Sequence, residues 1–226
     1  MDEYLSEKEQ IELIREWFRE NGWYLVAGVA IAALGIFGYK QYREYVDSRA
    51  EAAAALYLDL QDVLEDDDRA AAEALLTELR ESYPGSPYTD QAGLLMAGSL
   101  LARDTNRAAE ELRYVMQTTK DRELGLIARL RLARVLIHQS SADEALQVLA
   151  VNDVGPFAAQ FAEIRGDAHY ARGDLDAARE AYSNALVAPG AEWINRAFVE
   201  MKLDALDEPA ALDQPAPQAN GQETGA

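Results

Sequence analysis

Seventeen consecutive residues, Trp23 to Tyr39, read WYLVAGVAIAALGIFGY and carry no charge. A helix rises about 1.5 Å per residue, so this stretch reaches roughly 25 Å. The hydrocarbon core of a bilayer is about 30 Å thick. Aromatic residues mark both ends of the stretch, with Trp17, Phe18, Trp23 and Tyr24 at one and Tyr39, Tyr42 and Tyr45 at the other. Trp and Tyr favour both membrane–water interfaces. Lys40 and Arg43 extend outward from one end and can snorkel. A buried core helix fits less well, because the stretch is apolar on every side. A cleaved signal peptide needs a short basic start and a small-residue cleavage site. Here the lead is acidic, and the run ends in Gly38-Tyr39-Lys40. The expected element is an uncleaved transmembrane helix over residues 23–42.

Charge leaves the orientation open. Lys8, Arg15 and Arg19 precede the span, and Lys40, Arg43 and Arg49 follow it. The positive-inside rule therefore returns a tie. Gly28, Ala32 and Gly35 fall at i, i+4 and i+7, so they share a helix face. Small residues on one face let a second membrane helix approach closely.

Before the span, residues 1–22 form an acidic leader. Ser6 and Glu9 have capping-box spacing, and Ile11, Ile14, Trp17 and Phe18 follow at helical spacing. Gly22 stands where a left-handed helix stop is wanted. The spacing predicts an amphipathic helix over residues 7–21 that ends there.

From Val46 to Leu206 apolar residues recur with helical period and no strand-like alternation persists. Breakers at Asp66-Asp67-Asp68, Pro84-Gly85-Ser86-Pro87, Asp104-Thr105-Asn106, Ser140-Ser141, Gly155-Pro156, Gly173-Asp174 and Pro189-Gly190 divide the region into helices of roughly 12–18 residues. The region also resembles itself. ARGDLDAA from Ala171 aligns with ARDTNRAA from Ala102, an offset close to two periods of the 34-residue tetratricopeptide repeat. The small residue opening each second helix is Ala72, Ala109, Ala145 and Ala178 in turn. Small residues let the two helices of a hairpin approach, and Tyr182 is expected to fill the gap to the next repeat. The predicted fold is all-α: one N-terminal transmembrane helix, then a tetratricopeptide-like solenoid over residues 46–206. Residues 207–226 are rich in Pro, Gln, Ala and Gly and are expected to be a disordered tail.

The chain has 40 acidic and 21 basic residues, a net charge of −19. Such a surface repels nucleic acid. There is no Cys, which removes disulfide and thiolate chemistry. The two histidines, His138 and His169, belong to no metal-spaced cluster. Phosphate loops, nucleophile elbows and zinc-protease motifs are absent. Asp66-Asp67-Asp68 lacks the glycine and distal glutamate of a calcium loop and suits a helix N-terminus instead. No cofactor, metal, small-molecule substrate or catalysis is expected.

What a repeat array offers is a concave surface lined by its first helices. The spacing puts Tyr57, Gln61, Leu94 and Leu101 on that face, followed by Leu130, Arg134 and His138, then Glu163, Asp167 and Tyr170. Domains that clamp a terminal carboxylate need a cluster of basic and amide groups. A lone Arg134 beside acids argues against that mode and leaves extended or unfolded segments, or a folded partner, as ligands.

The arrangement as a whole resembles the YfgM-type ancillary subunits of the bacterial SecYEG translocon. The resemblance rests on Trp17-Phe18-Arg19-Glu20-Asn21-Gly22 directly before the span and on the Val46-Asp47-Ser48-Arg49 helix entry with small residues after it. It rests also on the Ala128-Arg129-Leu130-Arg131-Leu132-Ala133-Arg134-Val135 run and on Arg165-Gly166-Asp167. It covers about residues 3–206. It implies an inner-membrane protein with a cytoplasmic N-terminus and periplasmic repeats. It also implies association with SecYEG and the PpiD chaperone, and help for newly exported polypeptides. A cytoplasm-facing adaptor, or a regulator working through the acidic leader, are the competing readings of the residues.

Overall fold

The computed structural model describes residues 7–207, and every described element is helical. The proposed cap at Ser6 and the proposed tail after Asp207 lie outside the described residues. Two compact parts divide the chain, residues 1–55 and residues 56–226.

In the first part the helix α1, Glu7–Glu65, begins and runs through its whole described length. The expected stop at Gly22 does not occur. Gly22 is not among the glycines with positive φ. A glycine inside a helix costs about 1 kcal/mol relative to alanine. Ending the helix there would orphan four carbonyls and four N–H groups beside an apolar stretch, which costs more. Asn21 adds a local hydrogen bond from its Nδ2 to the Trp17 carbonyl, 3.2 Å away. Within α1 lies a stretch long and apolar enough to cross a membrane, and among the described residues none of it is buried. Trp23 is 76% exposed and Ile36 is 71% exposed. The space beside Gly28 and Gly35 is open.

The second part opens with the last turns of α1 and continues as antiparallel hairpins. Its helices are α2 (Arg69–Ser82), α3 (Pro87–Leu100), α4 (Thr105–Thr118), α5 (Arg122–His138), α6 (Ala142–Val148), α7 (Ala158–Arg172), α8 (Leu175–Ala185) and α9 (Arg196–Asp204). Short 3₁₀ turns at Gly155–Phe157 and Ala191–Trp193 join the later ones. The expected breakers fall at the connections. Carboxylates of Asp68, Asp104 and Asp121 accept from backbone N–H groups of the first turns they precede, at 2.8–3.0 Å. This satisfies orphan donors and complements the helix dipole. The Asp66-Asp67-Asp68 run is such a turn, with Asp67 left-handed at φ 60°. One connection, residues 119–121, carries neither Gly nor Pro and escaped the sequence reading. Asp121 is its cap.

Ala72, Ala109, Ala145 and Ala178, the four expected small positions, are all essentially fully buried. Between the helices of a hairpin, close approach is tightest at Gly166. A Cβ there would lie 2.4 Å from the Tyr182 ring. Tyr182 therefore fills the space inside its own hairpin, α7–α8, and joins α9 through Val199. The expectation that it bridges to a following repeat is corrected accordingly. The core centres on α5, where Leu126, Ala128, Leu130, Leu132, Ala133, Val135 and Leu136 are buried.

The helix α6 has only 7 residues, shorter than the predicted length. Its C-terminal carbonyls are taken by neighbours: Arg129 donates to the Val148 oxygen at 3.1 Å and Arg165 to the Leu149 oxygen at 2.9 Å. Two guanidinium groups at a helix C-terminus satisfy orphan acceptors and oppose the dipole. Successive second helices are tied by ion pairs of one spacing, Arg80 to Glu111 and Arg113 to Glu144.

These contacts give two stability predictions. Gly166→Ala should cost about 1–3 kcal/mol by overpacking against Tyr182, read as a lowered urea midpoint. Gly98→Ala, where an added Cβ meets nothing, should be neutral or gain up to about 1 kcal/mol. Asp90 supplies a pH test. Burial chiefly lifts its carboxyl above the ordinary range, opposed by a hydrogen bond from Thr119 Oγ1 at 2.6 Å, with Asp121 adding to the rise. A raised folded-state acid is favoured when protonated, so its ionisation costs stability as pH climbs through the folded pKa. Asp90→Asn should melt higher than the parent at neutral pH, and the gap should close on acidification below the carboxylate range.

Candidate protein-binding groove

The first helices of the solenoid expose two adjoining hollows. The larger, about 400 Å³, lies between the end of α3 and α5, with Thr105 and Leu112 of α4 behind. Ala97, Leu101, Leu112 and Val135 give it apolar walls, and Arg131, Arg134 and His138 stand at i, i+3 and i+7 along α5. The second, about 310 Å³, is lined by Gln61, Leu64 and Glu65 of α1, Leu94, Leu95 and Ser99 of α3, and again Gly98 and Arg131. The shared residues make the two hollows one groove.

The expected concave-face residues meet different fates. Leu101 is 47% exposed in the larger hollow, beside exposed Arg134 and His138. Gln61 lines the second hollow and is half-buried. Tyr57 packs its ring 6.0 Å from that of Tyr88. Leu94 and Leu130 are core residues at 5% exposure, because α3 and α5 are each packed between neighbouring hairpins. Leu94 reaches the groove only as floor.

In the last hairpin the face is occupied from within. Lys202 of α9 lies 3.0 Å from Glu163 Oε1 and 2.7 Å from Asp167 Oδ1. The Tyr182 hydroxyl donates to Asp167 at 2.8 Å. That bond, after burial, lifts the Tyr182 hydroxyl far above the ordinary phenol range. The Lys202 ammonium also sits over the Phe198 ring, 4.6 Å from its centroid. Glu163 and Asp167, predicted to face a ligand, are thus half-buried and held by α9. Tyr170 beyond them is 57% exposed.

Sequence reasoning placed Arg134 and His138 on the face as the one arginine and its neighbour, and missed Arg131. The structure places Arg134 beside Arg131 and His138, a spacing legible along α5 once the helix is known. Arg131 itself is tied down, donating to the Leu94 carbonyl at 3.4 Å. The role of α9 was not legible, since nothing in Arg196–Asp204 announces that Lys202 folds back on α7. Among the described residues no group of acidic or histidine side chains could hold a metal ion.

An exposed apolar helix followed by a small-residue hairpin stack with an open groove defines a helical-repeat protein. The chain belongs to the tetratricopeptide repeat-like domain family, whose model matches residues 15–208. It is 29% identical over 208 residues to a protein of Neisseria gonorrhoeae named ancillary SecYEG translocon subunit, covering 91% of this chain and 100% of that one. A protein of the same name from Escherichia coli is 28% identical over 186 residues, covering 80% of this chain and 88% of its own length. A third, from Haemophilus influenzae, is 25% identical over 203 residues, covering 89% and 98%. No solved structure matches the chain.

The Lys202 cluster gives a local prediction. Lys202→Met should leave two half-buried carboxylates without their cation, at a cost of about 1–3 kcal/mol. Hydrogen exchange should quicken across residues 196–204 while α3–α5 keep their protection.

Proposed function

We propose that this chain is a membrane-tethered, non-enzymatic scaffold that works beside a SecYEG-type translocon. The observation that carries the reading is the pairing of one fully exposed apolar helix with an open groove in a repeat domain. Relatives of matching length that bear the translocon name support the choice of partner. The apolar stretch inserts in the inner membrane, with the leader in the cytoplasm and the repeats in the periplasm. Tethering raises the groove's effective concentration near emerging chains, so weak contacts suffice. It assists newly exported polypeptides alongside a PpiD-type chaperone. Gly28, Ala32 and Gly35 offer the membrane face on which a partner helix packs. Such a role needs neither cofactor nor substrate turnover.

The competing reading, a cytoplasm-facing adaptor, is kept by the tie in flanking charges across the span. Protease added to intact spheroplasts separates the two. Loss of the repeat domain is the expected result, and full protection would establish the adaptor. Extraction in mild detergent should also bring down SecYEG and PpiD. A preparation free of both would overturn the translocon assignment.

A further inference from the structure

Among the described residues of the second part, every arginine but one donates to a carboxylate or to a backbone carbonyl. Nine are satisfied by carboxylates, as Arg107 is by Glu73 at 2.7 Å and Arg113 by Glu144 at 2.6 Å; Arg129, Arg131 and Arg165 take carbonyls. The exception is Arg134, which has neither kind of partner there. Acidic residues outnumber basic ones by 40 to 21, so a guanidinium without a carboxylate runs against the composition. Arg134 is also the one placed in the mouth of the larger hollow, whose lining contains no Asp or Glu. Its neighbours there are Arg131, His138 and the apolar surface of Leu101 and Val135.

We infer that this hollow binds an extended polypeptide segment in which an acidic side chain sits among apolar ones. The carboxylate is taken by Arg134, whose planar fork matches carboxylate geometry. Apolar side chains of the same segment fill the space along Leu101, Ala97 and Val135. The volume falls in the range of about 300–1,000 Å³ usual for ligand pockets. Charge complementarity fixes the class of ligand: an anionic group finds cations here, while a basic segment meets Arg131 and Arg134 at close quarters. Where the groove continues past Gly98 it meets Glu65. A segment with its acid over Arg134 and a neutral or basic residue toward Glu65 therefore suits the groove better than a uniformly acidic one. This deepens the scaffold reading and rests on the groove being a polypeptide surface. Its test uses the purified chain and needs no translocon, so the two fail separately.

The full chain, held in nanodiscs of zwitterionic lipid, is titrated into short fluorescent leucine-rich peptides with blocked ends and one central glutamate, glutamine or lysine. The glutamate peptide should bind roughly tenfold more tightly than its glutamine twin, with the lysine twin weakest. That preference should shrink as salt rises. Arg134→Gln should erase the preference while leaving the melting temperature and the glutamine-peptide affinity unchanged, because Arg134 supports nothing else in the fold. Arg134→Lys should keep part of it, and Leu101→Asp should weaken the glutamate and glutamine peptides alike. Equal binding of the three peptides would overturn the inference, as would a glutamate preference that survives Arg134→Gln. A dimer in sedimentation that dissociates on Arg134→Gln would assign the hollow to a second copy of the chain and would overturn it too.

Discussion

Water cannot solvate the stretch from Trp23 to Tyr39 cheaply, and among the described residues of its own part of the chain nothing buries it. Contiguous exposed apolar surface on soluble proteins stays within a few hundred Å². Here a run of residues including Trp23, Val29, Ile31, Leu34 and Ile36 stands open around a helix. Removing such a surface from water gains about 25 cal/mol for each Å². Helical hydrogen bonding satisfies the backbone through the same stretch, which is the condition lipid imposes. Length, apolar composition and exposure together suit a helix that crosses a membrane. The proposals about partners depend on that constraint.

The solenoid follows a different logic. Its hairpins close because Ala or Gly stands where two helices cross, and Gly166 under Tyr182 is the tightest case. Apart from Arg134, its described arginines are spent on backbone carbonyls and on acids of the same or neighbouring hairpins. This explains how a chain so rich in acid holds together: many of the described carboxylates cap helices or pair with cations. Within this pattern the larger hollow stands out for containing cations without acids. The last hairpin shows what an occupied face looks like, with Lys202 bridging Glu163 and Asp167. The hollow at Arg134 has the cation and lacks the partner.

Much of the fold was legible in the sequence. The apolar stretch, the all-α class and the four small hairpin positions follow from periodicity and spacing, because those are local properties of a helix. Most connections followed from Gly, Pro and Asp. The turn at residues 119–121 did not, because a Thr-Lys-Asp break depends on a cap whose effect is visible only in three dimensions. Gly22 misled because propensity is a weak prior against four lost hydrogen bonds at each new end. The candidate face was legible as a face but not as a set of accessible atoms. Leu94 and Leu130 carry the right spacing for the concave side and still turn into the core, since α3 and α5 each touch two hairpins. The fate of Glu163 and Asp167 depends on Lys202, which lies 39 and 35 residues away along the chain. No local pattern encodes a contact of that range.

The claim on which the account turns is that Trp23–Tyr39 resides in lipid. Alkaline carbonate washing of membranes from cells making the intact chain tests it directly, because it strips peripheral proteins and leaves integral ones. The account predicts that the chain stays with the membrane pellet. Quantitative release into the wash would contradict it.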